Sequence, residues 1–249
     1  MTWSDASQSP LPIPAPAGGT PSAPSPGDPV AEGLRGFGPL GILAILVIVL
    51  SGNVFAGRVA VPLGGVLALG WARRSRTPWR EIGYTRPASW ALTLAVGIAF
   101  GIAFKLLMKA IVMPLLGADP INRAYHYLAG NRAALPAAAW TMIVGAGFGE
   151  ETVFRGFLFE RLGKLLGGGP RAKTWIVLLA AGWFGAAHYS DQGLAGVEQA
   201  SITGLVFGTI FAVTGRIWVP IVAHAAFDLT AIAIICWNLE PTVAHLIFK

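Results

Sequence analysis

Two adjacent carboxylates and an arginine lie inside an apolar stretch of this chain. Glu150, Glu151 and Arg155 occur in the run Gly-Phe-Gly-Glu-Glu-Thr-Val-Phe-Arg-Gly at 147–156. One ionised side chain at the centre of a bilayer costs at least about 2.5–3.5 kcal/mol on insertion scales, so such groups need a partner or a function. These residues are therefore the first candidates for chemistry.

The spacing of the three residues predicts different roles for the two carboxylates. Glu151 and Arg155 are i,i+4 neighbours, which can pair along one helix face. We interpret them as supporting residues, an ion pair that holds helices together. Glu150 points about 100° away from Glu151 on an ideal helix. Because one arginine cannot fully compensate two carboxylates in hydrocarbon, we expect Glu150 to face a cavity.

Later apolar stretches contribute three more polar residues. His188 lies in one stretch, and His224 and Asp228 share a face of another at i,i+4 spacing. At about 1.5 Å per helical residue, Glu150 and these three residues lie roughly 10 to 21 Å inside the ends of their predicted spans. Three helices thus bring polar groups to a similar depth, which predicts one buried site.

This set of residues suits hydrolysis by an activated water molecule. The chain has no G-x-S-x-G motif, and its only cysteine, Cys236, lies two turns beyond Asp228, so a covalent acyl-enzyme is unsupported. A buried Glu150 can act as a general base, with His188 orienting the same water. His224 and Asp228 would then stabilise the oxyanion.

The same four residues also suit a metal ion. Glu150, His188, His224 and Asp228 are ligand types that Zn²⁺ accepts, with a water in the open position. The sequence leaves both versions open, and it requires no other cofactor.

The composition indicates an all-α, polytopic membrane helix bundle. Of 249 residues, 54% are hydrophobic and only 12% are charged, and the mean hydropathy is +0.62. Soluble domains are about one quarter charged, and the apolar stretches are too long and too uniform for a β-barrel. The net charge is +6, but the basic residues form no long run, so we expect the lipid bilayer and not nucleic acid as the partner.

The chain divides into a tail and a transmembrane domain. Residues 1–30 contain eight of the 18 prolines, which predicts a disordered, Pro-rich cytoplasmic tail over 1–32. Residues 33–249 form the predicted transmembrane helical domain, with about seven spans. The predicted spans are Gly38–Val54, Val59–Trp71, Trp90–Leu116, Ala133–Phe159, Thr174–His188, Gly196–Val213 and Ile217–Trp237.

Basic residues between the spans predict the orientation. They cluster between spans two and three, between four and five (Arg161 among them), and between six and seven. All three loops fall on one side, which the positive-inside rule makes cytoplasmic, with the N-terminus inside.

We expect Lys105 and Lys109 to snorkel to the interface, with a partner inside the bundle as the alternative. Gln199 is expected in a wet loop, with a place in a cavity wall as the alternative.

The polar motifs resemble those of the CPBP family, the type II CAAX prenyl endopeptidases and their bacterial relatives, called Abi proteins. The family motifs Glu-Glu-x-x-x-Arg, Phe-x-x-x-His and His-x-x-x-Asn/Asp read here as Glu150–Arg155, Phe184–His188 and His224–Asp228. The resemblance covers residues 135–235, the expected catalytic core. It implies an intramembrane protease, with some relatives described as metalloproteases and others linked to bacteriocin self-immunity or peptide maturation.

The resemblance also implies site roles and a substrate class. Glu150 would activate water with His188, while His224 and Asp228 would form the oxyanion-stabilising pair. The substrate would be a hydrophobic or prenylated peptide or protein, cleaved in the cell membrane of a bacterium. Eukaryotic CAAX proteases carry asparagine where this chain has Asp228, and an ionised aspartate cannot donate a hydrogen bond to an oxyanion. Asp228 must therefore be protonated, orient His224 or bind a metal.

Two classes of function follow from these observations. The leading hypothesis is an intramembrane endopeptidase, and the alternative is a non-catalytic immunity or scaffold protein that binds a peptide partner in the same cavity. A transporter ranks last, because the two halves of the chain show no repeated pair of broken helices. The sequence assigns no oligomeric state.

Overall fold

The computed structural model describes residues 27–54 and 60–248, and within those ranges every regular element is helical. The predicted all-α membrane helix bundle is confirmed. Most of the predicted disordered tail, residues 1–26, lies outside the described residues. Its last residues belong to a short helix that begins at Pro29 and is capped by the Asp28 carboxylate, which accepts hydrogen bonds from two backbone amides.

The helices follow one another through short connections. We number them α1 (Pro29–Arg35), α2 (Pro39–Val54), α3 (Ala60–Arg74), α4 (Trp90–Leu115), α5 (Leu135–Trp140), α6 (Phe159–Leu166), α7 (Pro170–Ala187), α8 (Tyr189–Thr214), α9 (Trp218–Cys236) and α10 (Glu240–Ala244). Two π-helical segments, Thr141–Glu150 and Thr152–Leu158, join α5 to α6. We call the continuous run 135–166 the motif helix.

Each predicted span coincides with a helix, but not every helix is long and apolar enough to cross a bilayer alone. Helices α4, α8 and α9 meet that condition, and α1 with α2 would add a fourth span, bent by 58°. The chain is thus a multi-pass membrane protein. The count of seven spans stays a prediction.

Small residues let the central helices approach closely. A Cβ added to Gly101 of α4 would lie 2.2 Å from the Ala223 carbonyl oxygen of α9, and one on Gly97 would lie 2.7 Å from a methyl of Val222. A Cβ on Gly204 of α8 would lie 3.0 Å from the backbone of Ala181 in α7. The Gly-x-x-x-Gly spacings in α4 and α8 therefore mark real helix contacts.

The motif helix is continuous through its glycines. Gly147 and Gly149 sit between two neighbours, because an added Cβ would lie 2.9 Å from Ala225 of α9 and 2.7 Å from the Val61 carbonyl oxygen of α3, respectively. The segment widens into a π-helix instead of separating into two helices. Such widened turns are typical of functional sites, and this one carries Glu150.

Arg161 is buried, although the sequence placed it in a cytoplasmic loop. It lies in α6 with 2% of its surface exposed. Its guanidinium pairs with Glu160, donates to the Arg35 carbonyl oxygen at 2.7 Å and lies 4.4 Å from the ring centre of Trp71. The prediction was wrong because charge alone cannot distinguish an interfacial arginine from one that ties α1 to the motif helix.

Candidate active site

One cavity collects the polar residues that the sequence singled out. Glu150 of the motif helix, His188 at the end of α7, and His224 and Asp228 of α9 all line it. Its volume is about 130 Å³, and since a single water needs roughly 10–15 Å³ measured in this way, several waters fit. The structure thus brings the four residues together, while their catalytic roles stay predictions.

Behind the cavity wall, Glu151 connects an arginine to a histidine. Glu151 is fully buried, and its Oε1 accepts from Arg155 Nη1 at 2.9 Å and lies 2.6 Å from His224 Nδ1. A carboxylate can only accept, so Nδ1 carries the proton of this bond. Glu151 therefore fixes the orientation of His224 and leaves Nε2 on the cavity side.

The ring of Phe184 contacts both Arg155 and His188. The Arg155 guanidinium lies 4.6 Å from the Phe184 ring centre, and the His188 ring centre also lies 4.6 Å from it. His188 Nδ1 lies 2.8 Å from the Phe184 carbonyl oxygen, which can only accept, so Nδ1 carries the proton. In neutral His188, Nε2 then keeps its lone pair and can accept a proton.

Two carboxylates face the free nitrogen of His224. The Oε2 atom of Glu150 lies 3.8 Å from His224 Nε2, and the Oδ2 atom of Asp228 lies 3.6 Å from it. Both distances exceed a direct hydrogen bond. Glu150 Oε2 also has no hydrogen-bond partner among the described residues. A buried carboxylate oxygen in this state is suited to bind water or a substrate donor.

The residues as placed do not fit a metal site. In the ranges 27–54 and 60–248, no three His, Cys, Asp or Glu side chains are arranged so that one ion could be held. His224 Nδ1 is engaged by Glu151, and His188 Nδ1 by a carbonyl. Each imidazole keeps an open Nε2, so the mismatch lies in the placement of the four side chains in the described residues, and we derive no step through a metal.

Other parts of the chain contribute cavity residues that sequence reasoning missed. The cavity is also lined by Lys105 of α4, by Gln199 of α8 and by Tyr125 in the connection between α4 and α5. The interpretation of Gln199 as a wet-loop residue was wrong, since its Oε1 accepts from Lys105 at 2.8 Å. Burial raises the pKa of Tyr125, so it stays a neutral phenol in the cavity wall. The one signal in the sequence for these additional cavity residues is Lys105, a lysine in the middle of an apolar span.

The fold and the cavity define a multi-pass membrane protein with a buried polar site. Comparison with known families then adds a finding: residues 132–230 match the model of the Rce1-like family, type II CAAX prenyl endopeptidases. The predicted resemblance to that family is confirmed for this segment, which includes Glu150, His188, His224 and Asp228.

A curated relative and the solved structures add little to this finding. The uncharacterized protein YyaK of Bacillus subtilis (strain 168) is 31% identical over 100 residues, which are 38% of this chain and 32% of the relative. The chain thus spans about a third of the length of the curated relative that it matches. No solved structure matches the chain.

Proposed function

We propose that this protein is an intramembrane endopeptidase that hydrolyses a peptide bond of a hydrophobic or lipidated substrate. One observation carries the proposal: three helices place Glu150, His188, His224 and Asp228 around a single cavity large enough for water and a peptide bond. Among the described residues, one buried oxygen of Glu150 has no hydrogen-bond partner, and a group that is this costly in a membrane favours catalysis over a non-catalytic scaffold.

In the proposed mechanism, Glu150 and His188 act on the nucleophilic water. Glu150 accepts one proton of the water, while His188 Nε2 accepts a hydrogen bond from the other and orients it. The water oxygen forms a bond to the carbonyl carbon, and the carbonyl π electrons move to oxygen. The oxyanion then re-forms the carbonyl double bond, the electron pair of the breaking C–N bond moves to nitrogen, and Glu150 returns its proton to that nitrogen, which leaves a carboxylic acid, an amine and the Glu150 carboxylate.

His224 is the proposed oxyanion donor. In the imidazolium form both ring nitrogens donate, Nδ1 to Glu151 and Nε2 to the developing oxyanion. An ionised Asp228 at 3.6 Å from Nε2 stabilises that form. This assigns Asp228 the role of orienting His224, which removes the conflict between an aspartate and an oxyanion.

The surroundings of the cavity favour a substrate that arrives through the bilayer. Its walls combine the polar groups with apolar side chains such as Met142, Phe227 and Ile232. Apolar side chains also cover the exposed faces of the long helices, among them Leu92, Ile98 and Leu106 of α4. We therefore propose a lipidated or hydrophobic peptide as substrate and the cell membrane as location, with a cytoplasmic N-terminus.

The test uses the full-length protein in detergent or liposomes and two fluorogenic peptides, one farnesylated on cysteine and one equally long, apolar and unlipidated. Glu150→Gln removes the general base while conserving shape, so we expect cleavage to fall by at least about 10²-fold. Glu198→Gln is the matched control, since Glu198 of α8 is half-buried and outside the cavity. That variant should cleave like the wild type.

Three further results interpret the test. Full activity of Glu150→Gln would refute the proposed base. Cleavage of neither peptide, together with a binding signal that survives Glu150→Gln, would favour the scaffold alternative. Activity that disappears with a chelator and returns with Zn²⁺ would contradict the metal-free mechanism, because we expect no chelator effect.

A further inference from the structure

Lys105 is a buried cation in the middle of a membrane-spanning helix. It lies 15 residues after Trp90, the first residue of α4, which is about 22 Å along the helix. Only 5% of its surface is exposed, so the prediction that it snorkels to the interface was wrong. Its Nζ donates to Gln199 Oε1 at 2.8 Å and lies 4.7 Å from the ring centre of Phe227.

The surroundings of Lys105 do not neutralise it directly. In the described part of the chain it forms no salt bridge, and its one hydrogen-bond acceptor is a neutral amide. Lys109, one turn further, differs because it pairs with Glu240 at 3.2 Å and also donates to the Pro120 carbonyl oxygen. A buried ammonium without a carboxylate contact is costly, so Lys105 needs a counter-charge nearby.

The cavity supplies that counter-charge. Glu151 is compensated by Arg155, which leaves the carboxylates of Glu150 and Asp228 at the cavity wall. Lys105 is the only lysine or arginine among the described residues that line it. When His224 is an imidazolium, it and Lys105 supply two positive charges that balance the two carboxylates. In a low-dielectric site these charges interact strongly even beyond contact distance.

Lys105 lies against the part of α9 that carries Asp228. Lys105 lies over the ring of Phe227, the residue next to Asp228, and α4 packs on α9 without a gap at Gly101. An aspartate adds one negative charge to the membrane interior, and Lys105 adds the positive charge that offsets it.

We propose that Lys105 is a positioning residue that acts through Asp228: it holds Asp228 as an anion, and Asp228 in turn holds the His224 imidazolium. This inference rests on the proposed function for its effect on turnover. The charge pairing itself is a property of the fold. Residue 105 lies outside the matched segment 132–230, so this assignment comes from the tertiary structure of this chain.

The experiment is a double-mutant cycle with Lys105→Met, Asp228→Asn and the combined variant. We expect Lys105→Met to lower kcat by about tenfold or more with KM changed less than about twofold, and to have little further effect in the Asp228→Asn background. Lys105→Arg should retain most of kcat, since it keeps the charge. Lys109→Met is the matched control, and its effect should simply add to that of Asp228→Asn.

A second double-mutant cycle with the same variants uses the midpoint of thermal unfolding in detergent, Tm, and does not depend on cleavage of any peptide. Each single variant leaves one unbalanced charge and should lower Tm, and the combined variant should recover part of the loss. Additive effects in both cycles would overturn the pairing, as would an increase of KM on Lys105→Met that persists in Asp228→Asn. If the wild type cleaves no peptide, the proposed function fails, while the Tm cycle still decides the pairing.

Discussion

At the scale of single residues, the site depends on which hydrogen bonds each carboxylate oxygen of Glu151 accepts. One oxygen serves both Arg155 and His224 at 2.9 and 2.6 Å, while the other has no hydrogen-bond partner among the described residues. The Glu151–His224 contact resembles that in other hydrolytic sites, where a buried carboxylate accepts from Nδ1 of a histidine and so orients the imidazole ring. Glu151 is thus more than half of an ion pair, since it sets the direction in which His224 can donate.

The first prediction concerns Glu151→Gln. An amide cannot hold the Nδ1 proton as a carboxylate does and leaves Arg155 without its counter-ion, so we expect kcat to fall by about 10²-fold while KM changes little. Breaking a buried ion pair also destabilises the fold, by about 3–5 kcal/mol when a partner is removed. Steady-state kinetics and thermal unfolding would measure both effects.

A matched control separates the catalytic loss from the loss of stability. Glu160→Gln breaks another buried carboxylate–arginine pair, Glu160 with Arg161, which lies outside the cavity. We expect a comparable fall of Tm and an unchanged kcat per folded molecule. If Glu160→Gln lowers kcat as much as Glu151→Gln does, the positioning role of Glu151 is wrong.

At the scale of elements, the site requires close contact between helices. The motif helix touches α3 through Gly149 and α9 through Gly147, directly before Glu150. Helix α4 touches α9 through Gly97 and Gly101, one turn before Lys105. Gly101 and Gly149 lie against backbone carbonyl oxygens, and Gly97 and Gly147 lie against side-chain carbons. Even a methyl group has no space at these contacts, and the positions of Glu150 and Lys105 relative to α9 depend on them.

The second prediction tests this dependence with Gly101→Ala. The added Cβ would lie 2.2 Å from the Ala223 carbonyl oxygen, so α4 must move away from α9, at a cost of about 1–3 kcal/mol. We expect a lower Tm and reduced cleavage. Gly182→Ala in α7 is the control, since a Cβ there meets no atom within 4 Å, and helix propensity should make it neutral or stabilising. Equal effects of the two variants would contradict this packing argument.

A tyrosine in the connection before α4 links it to the motif helix. The Tyr84 hydroxyl lies 2.6 Å from Thr152 Oγ1, next to Glu151. Burial raises the pKa of Tyr84 to about 12, so the hydroxyl stays protonated in any physiological condition. The connection thus holds the motif helix through a neutral hydrogen bond.

At the scale of the whole molecule, the ends of α4 define two sides. The connection that contains Arg80 precedes α4, and the segment with His126 follows it, so the two lie at opposite ends of this span. Both residues are exposed. By the positive-inside rule, we expect the end of α4 that carries the basic residues around Arg80 to lie in the cytoplasm.

The third prediction tests this orientation by labelling in intact bacterial cells with a membrane-impermeant maleimide. Cys236 is the only cysteine of the chain and is buried, so Cys236→Ser provides a background without thiols. We expect His126→Cys to be labelled in intact cells and Arg80→Cys only after the membrane is opened. The reverse pattern would invert the proposed topology, and labelling of both in intact cells would show that α4 does not span.

The sequence by itself determined the class of the fold and the main residues of the cavity. Long apolar stretches exclude a water-exposed fold, and rare charges inside them are costly enough to mark a site, as Glu150, His188, His224 and Asp228 do.

Only the tertiary structure decided which partners these charges have. The contact of Glu151 with His224 spans 73 residues, and that of Lys105 with Gln199 spans 94, while helical spacing reports only neighbours three or four residues apart. For the same reason, the burial of Arg161 was not visible in the sequence, and the place of Gln199 in the cavity wall was only the alternative to a wet loop. Charge and periodicity say that a buried group must be compensated, and only packing decides which group compensates it.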